Sequence, residues 1–424
     1  MRAHQNGYAP VVVEDFARLI PYRVAMSSDP SWFLLGLAAV IVVLLIALTA
    51  YLARTEADAV ERRGLGHARA DRTMVASADA QVAPPTADVK PRLAVVVNPA
   101  KFDDVAEVRG MIRRMCLAQG WAEPWWSETT VEEPGQAQAQ AAIEAGVDVV
   151  CPLGGDGTVR NVASVLVDSG MPIGLLPGGT GNLLARNLEL PVDSIRRSLT
   201  VILTGRNAHI DTCSLTLTRP HADELEGRKS DPDDPARSVD MHDASENEGT
   251  PEVETHMFLV MAGLGFDAEV MATAPEDLKA TIGWGAYVFA GAQHLKGPRF
   301  HVDVEFADGN TESRDVRSVI VGNVGKLQGG FQLLPEARSD DGRVTALLLY
   351  PRGLLGWASI WRRLIIGRDI GPPARLKHFS STRVKVNASK PVQLQIDGDT
   401  LGAVSKLDVE VKPKSLVVRL PTKT

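Results

Sequence analysis

Two runs of small residues carry the first hint of chemistry: Gly154-Gly155-Asp156-Gly157-Thr158 and Pro177-Gly178-Gly179-Thr180-Gly181-Asn182. Glycine lets a backbone come within hydrogen-bond reach of an anion with no Cβ in the way. A helix that begins directly after such a turn adds unpaired N–H groups and the positive end of its dipole. Two of these turns side by side make a polyphosphate site. Asp156 is then the natural carboxylate for Mg²⁺, directly or through water, because a hard cation on phosphates takes oxygen ligands. The plainer alternative is a pair of ordinary tight turns, in which Asp156 has no obvious use in packing.

The elements that must position these turns are legible on either side. Residues 147–153 form a short, nearly continuous apolar run, as a buried parallel strand requires. Val159, Val162, Ala163, Leu166 and Val167 then share one helical face. Residues 173–176 predict the next strand, and a second helix buries Leu183, Leu184 and Leu188. Upstream, residues 93–97 and 125–130 read as strands, with helices at 105–119 and 136–145, and a helix at 192–205 closes the set. Strands alternating with helices predict a doubly wound α/β domain over residues 92–205.

Residues 206–424 read differently. Strands at 208–217, 257–265, 300–306, 316–322, 344–349 and 392–402, with the hairpin turn Asp308-Gly309-Asn310, predict a β-sandwich-like domain. It is interrupted at 219–256 by an acidic stretch with few large apolar groups, expected to be a disordered insertion. Gly263-Leu264-Gly265-Phe266-Asp267-Ala268 matches a dinucleotide fingerprint. That reading needs a parallel sheet, whereas a helix at 279–295 and antiparallel-like strands follow.

Residues 32–53 hold no charged side chain over about 33 Å of helix, enough to span a bilayer. The run is too long and starts too late for a signal peptide. Arg54, Arg62, Arg63, Arg69 and Arg72 follow it, so residues 1–31 form a short N-terminal segment, 54–91 a cytoplasmic linker, and the C-terminal bulk is expected in the cytoplasm. A net charge of −7 without a basic domain argues against a nucleic-acid partner. Cys116, Cys151 and Cys213 lack metal-ligand spacing and fit buried thiols in a reducing compartment. The chain has no GxxxxGK[ST], HExxH or GxSxG motif.

The wording GGDGTVRNV from Gly154, with PGGTGNLLAR from Pro177, resembles the diacylglycerol kinase catalytic domain family, over residues 92 to the C-terminus. The resemblance implies an NAD-kinase- or phosphofructokinase-like α/β domain, ATP and Mg²⁺ as cofactors, and a membrane lipid as acceptor. Diacylglycerol is the family's usual acceptor; sphingoid bases, ceramide or a polyprenol stay open, as does a homodimer. A soluble-substrate kinase and a catalytically weak nucleotide-binding protein are the other classes. By resemblance, nucleotide contacts fall on Asn98, Pro99 and Lys101, on Thr130 (or Thr129), on Gly154, Gly155, Asp156, Gly157 and Thr158, and on Gly178, Gly179, Thr180, Gly181 and Asn182. Phe102 stands where the family's opening turn usually has glycine.

The resemblance also implies metal roles. Asp156 serves the catalytic Mg²⁺, with Asp211 linked to it through water; Asp341, with the carbonyls of Arg338 and Arg343, holds a structural one. For Asp211 and Asp341 a plain turn role is the alternative. The turn Asp397-Gly398-Asp399 matches the family's Asp-Gly-Glu, whose last residue is the proposed general base. Asp399 takes that part here, one methylene shorter, alongside Asp156 as the second catalytic carboxylate.

Overall fold

In the computed structural model the described residues are 90–219, 253–265, 299–327, 332–353, 356–357, 359–360 and 375–422. The expected membrane span at 32–53, residues 54–89 of the linker, the helix at 279–295 and insertion residues 220–252 lie outside them. Among the described residues no helix is long and apolar enough to cross a membrane.

The first part runs β1 (Leu93–Val97), α1 (Val105–Ala118), β2 (Trp125–Glu128), α2 (Gln136–Glu144), β3 (Val149–Gly154) and α3 (Asp156–Leu166). It continues through β4 (Pro172–Ile173), β5 (Leu176–Pro177), α4 (Leu183–Asn187) and α5 (Ile195–Thr204). β1 is apolar and buried at every position, as a strand covered on both faces must be. β2 and β3 flank it in parallel, and β4 and β5 pair in parallel with β3. Ala94, Val96 and Val150 pack with α2 and α3, whereas Leu93, Val95, Cys151 and Leu153 pack with α1 and α5. This two-residue alternation, with helices on both faces, is the expected doubly wound layer.

Two local expectations change. The strand at 173–176 is split into β4 and β5 by Gly174, which is squeezed against its neighbours: a Cβ there would lie 2.8 Å from Cys151 Sγ and 2.9 Å from Ile202 Cδ1. The second helix is a short α4 that buries Leu184 and Ala185, leaving Leu183 and Leu188 half-buried.

The second part is antiparallel: β6 (Arg206–Thr218), β7 (Val253–Phe258), β8 (Met261–Gly265), β9 (Phe300–Phe306), β10 (Thr311–Val316) and β11 (Ser318–Gly322). β12 (Val344–Leu349), β13 (Leu376–Ser381), β14 (Arg383–Ile396) and β15 (Asp399–Leu420) follow. Alternate residues of these strands, from Cys213 and Phe258 to Leu394 and Val409, close over one apolar core. The acidic insertion is shorter than expected, because residues 253–256 already belong to β7, paired with β6 from Thr218↔Val253 onward. The run at 257–265 is two strands that meet at a Leu259–Val260 corner. β8 pairs antiparallel with both β11 and β14, so Gly263 and Gly265 lack the parallel setting of a dinucleotide turn.

The two parts share one sheet, in the order β13-β12-β11-β8-β14-β15-β4-β3-β1-β2. The join is the end of β15, where Val417 and Val418 lie parallel beside Pro172 and Ile173. The last strand therefore returns across the boundary expected at residue 205 and completes the first layer.

Candidate active site

The two glycine turns stand at the carboxyl ends of β3 and β5 and pack directly on each other. Gly178 N donates to Gly154 O at 3.0 Å. A Cβ on Gly178 would come within 2.9 Å of Gly154 Cα, and one on Gly179 within 2.7 Å of Gly155 Cα. These glycines are therefore demanded by the contact between the turns as well as by any anion above them. Asn182 holds the second turn shut from a left-handed φ of 47°. Its Oδ1 accepts from Gly179 N at 3.2 Å, and its Nδ2 donates to Gly179 O at 2.6 Å. Asn182 is buried and the Thr158 side chain is packed beneath Gly154, while Thr180 is exposed at the rim.

α3 begins at Asp156 with Gly155 as its cap, a residue with no side chain to bond the first-turn N–H groups. α1 and α5 are capped conventionally by Asp104 and Ser194. The open N-terminus of α3 thus faces the glycine turns, the arrangement that suits a phosphate.

Asp156 does have a structural use. Its Oδ1 accepts from Leu183 N at 2.6 Å, tying the start of α3 to the start of α4, while Oδ2 lies against Gly181. Burial pushes its carboxyl up to about 6; the Leu183 N–H opposes this, and the carboxylates of Asp397 and Asp399 add to the rise. Carboxylates gathered beside the glycine turns are a donor set that fits Mg²⁺. Asp156 and Asp399 each keep one oxygen outside these bonds, whereas both oxygens of Asp397 are engaged, as follows.

The Asp397-Gly398 pair forms a two-residue hairpin turn, both at positive φ (48° and 95°), between β14 and β15. Asp397 is buried, and its oxygens accept from Leu259 N (2.9 Å), Val260 N (2.8 Å) and Met261 N (3.1 Å) at the β7–β8 corner. Burial raises its carboxyl; the three N–H donors and the Arg160 guanidinium pull the other way. Asp399 stands on the exposed side of the same turn, over the start of α3, with Oδ2 3.1 Å from where a Cβ on Gly157 would be. Arg160, one turn into α3, donates Nη2 to Asp399 Oδ2 at 2.6 Å and Nη1 to Ile396 O at 2.9 Å. The structure thus brings Asp156, Asp399 and both glycine turns together, as the motifs imply. Sequence reasoning missed Asp397 and Arg160. The only signals for them were a second Asp beside the glycine and a charge within an otherwise amphipathic helix.

The remaining candidates are arranged around this centre. Asn98 N donates to Leu153 O at 2.9 Å, and its side chain accepts from Ala100 N, shaping a short 3₁₀ turn over Pro99–Lys101. Lys101 is exposed there. Phe102 swings its ring against the glycines, 2.7 Å from a Cβ built on Gly178, so it walls the turn that a glycine would leave open. Thr129 is buried and bonds Val97 O through its N–H. Thr130 is exposed, and its hydroxyl accepts from Glu133 N at 3.0 Å in a local turn.

Asp211 and Asp341 come together in a second place. Buried Asp211 accepts from Gly342 N and from Lys414 N, each at 2.7 Å, and its own N–H donates to Ser339 O at 2.6 Å. Asp341 accepts from Arg343 N at 3.0 Å and is exposed, with its carboxyl raised chiefly by burial and further by Asp211 and Asp340. Both oxygens of Asp211 are thus spent on fixing the loop. Asp341 keeps its other oxygen outside its bond with Arg343 N. Among the described residues no group of three or more acid, His or Cys side chains is placed to hold a metal.

Between α3 and strands β6, β7 and β15 lies a cavity of about 330 Å³, lined among others by Arg160, Asn161, Ser214, His256, Leu401 and Lys412. Ile396, at the end of β14 before the Asp397-Gly398 turn, lines it too.

Known proteins match this architecture. Residues 92–215 match the model of the diacylglycerol kinase catalytic domain, and residues 260–420 that of the YegS C-terminal NAD kinase beta sandwich-like domain. A probable lipid kinase, YegS-like, of Pseudomonas fluorescens is 30% identical over 304 residues, covering 68% of this chain and 83% of that protein. The diacylglycerol kinase of Bacillus subtilis is 24% identical over 312 residues, covering 73% of this chain and 89% of its own. The crystal structure of a putative diacylglycerol kinase from Bacillus anthracis shares the fold, with a TM-score of 0.57 at 17% identity, covering 80% of this chain and 98% of that one.

Proposed function

Because this chain belongs to the diacylglycerol kinase catalytic domain family, we propose that it is a membrane-anchored lipid kinase that moves the γ-phosphoryl group of ATP to the hydroxyl of diacylglycerol, giving phosphatidic acid. The observation that carries the reading is the place of Asp399: a carboxylate from the β layer set over Gly157, at the open N-terminus of α3. A phosphate site and a proton acceptor facing each other are what transfer to an alcohol requires.

The glycine turns and the start of α3 hold the ATP phosphates through backbone N–H groups, with Asp156 supplying a carboxylate oxygen to Mg²⁺. Mg²⁺ held by Asp156 would supply positive charge against that of the phosphates. Asp399 accepts the proton of the acceptor hydroxyl as that oxygen bonds to the γ-phosphorus, and the bond from the γ-phosphorus to the β–γ bridging oxygen breaks to release ADP. Phe102 screens one side of the turns from water. The cavity beside Arg160 has room for a lipid headgroup rather than for acyl chains. A span at residues 32–53 with arginines on its C-terminal side would hold the site at the cytoplasmic face, where ATP and a bilayer-bound acceptor meet at high effective concentration. The names of the two relatives, a lipid kinase and a diacylglycerol kinase, support the class of acceptor.

The test uses the full chain in detergent micelles with Mg²⁺, γ-labelled ATP and extracted membrane lipid, with and without added diacylglycerol. Label is expected in the organic phase, with the mobility of phosphatidic acid and stronger when diacylglycerol is added. Label recovered only as inorganic phosphate contradicts the proposal.

A further inference from the structure

We propose that Arg160 is a positioning residue for the transfer, a clamp that fixes the Asp399 carboxylate over the start of α3 with one oxygen turned free for the acceptor hydroxyl. The inference rests on the lipid kinase reading above and concerns a residue to which neither motif assigns a part.

Three observations carry it. The Arg160 side chain is only 13% exposed although its charge must be balanced, whereas Asp399 is 54% exposed. A mostly buried guanidinium needs its partners, while an exposed carboxylate on a hairpin turn would otherwise sample several rotamers. Next, the fork of Arg160 grips the turn at two points, the Ile396 carbonyl and Asp399 Oδ2, and so fixes backbone and side chain together. Finally, the clamp takes only Oδ2; Asp399 Oδ1 has no partner among the described residues and stays available as a proton acceptor.

The clamp also accounts for an aspartate at this position. The turn is held at its other end by Asp397, through three N–H groups of the β7–β8 corner. With both ends fixed, the carboxylate distance from α3 is set by the backbone, and Gly157 lies close beneath it. A longer side chain here would push Arg160 aside. Asp399→Glu is therefore expected to lower the rate rather than raise it.

The experiment is a mutant cycle in the same labelling assay, with detergent micelles of extracted lipid and added diacylglycerol, reading kcat, the KM for ATP and the melting temperature. Arg160→Gln is expected to lower kcat by roughly 10- to 100-fold, the scale of a misplaced reacting group, with the KM for ATP little changed. Arg160→Lys should recover part of the loss, since it restores one of the two contacts. Arg160→Gln combined with Asp399→Asn should be no slower than Asp399→Asn alone, because the clamp acts only through that carboxylate. An Arg160→Gln rate equal to the unaltered chain overturns the proposal. So does a loss that multiplies with that of Asp399→Asn, or one explained by a melting temperature that falls to the assay temperature. If the unaltered chain labels no lipid, the kinase reading itself fails, and the clamp falls with it.

Discussion

Gly178 illustrates how tightly single residues are constrained at this site. Its missing Cβ makes room for the Gly154 backbone and for the Phe102 ring at once. Gly178→Ala should force the two turns apart, costing about 1–3 kcal/mol, as overpacking does, and weakening ATP binding severalfold; thermal melting and titration with ATP would measure both. Unchanged ATP affinity in a stably folded Gly178→Ala protein would show that turn contact is not what shapes the phosphate site. The sequence makes the glycines and Asp156 conspicuous, but for one reason only, the approach of an anion. The bond from Leu183 N to Asp156 and the turn-to-turn packing depend on where α4 starts, which no local pattern reveals. Asp397 and Asp399 flank the same glycine and are chemically alike. Their division into a buried anchor and an exposed acceptor is decided by N–H groups about 137 positions away in sequence.

At the scale of elements, the neck of the acidic insertion shows a similar division of labour. β6 and β7 approach each other there, and Arg219 reaches across to Glu254, which also bonds His256 at 2.8 Å. The Arg219 hydrogen bonds, helped by His256 and opposed by burial, hold the Glu254 carboxyl below its ordinary value. A depressed carboxyl contributes stability that is fully present above its unfolded value of 4.5 and is lost as pH falls through the folded value. Glu254→Gln should therefore narrow the gap in melting temperature between neutral pH and pH below about 4, seen by calorimetry across that range. An unchanged gap would mean that the pair leaves folding stability untouched. The period-two and period-3.6 patterns make most strands and helices readable, because burial on one face or both dictates them. The kink at Gly174 and the corner at Leu259–Val260 are not readable. Each breaks an apolar run for a tertiary reason, contact with Cys151 and Ile202 in one case and donation to Asp397 in the other.

The whole molecule is organised by one strand. β15 begins at Asp399 in the candidate active site, runs through the β layer beside β14 and β6, and ends as a parallel neighbour of β4. The proposed base and the glycine turns are thus linked by a continuous sheet as well as by the Arg160–Asp399 pair. The sequence conveys the two architectures but not this return, since parallel pairing between residues 172–173 and 417–418 is as non-local as the chain allows. In the proposed reaction Asp399 takes the acceptor's proton while the glycine turns hold ATP. The most direct test is the rate of label transfer to diacylglycerol by Asp399→Asn, with ATP affinity measured on the same preparation. Asp399→Asn is expected to be slower by about 10²- to 10⁴-fold, the usual weight of a general base, with ATP still bound. Full transfer by Asp399→Asn would contradict it.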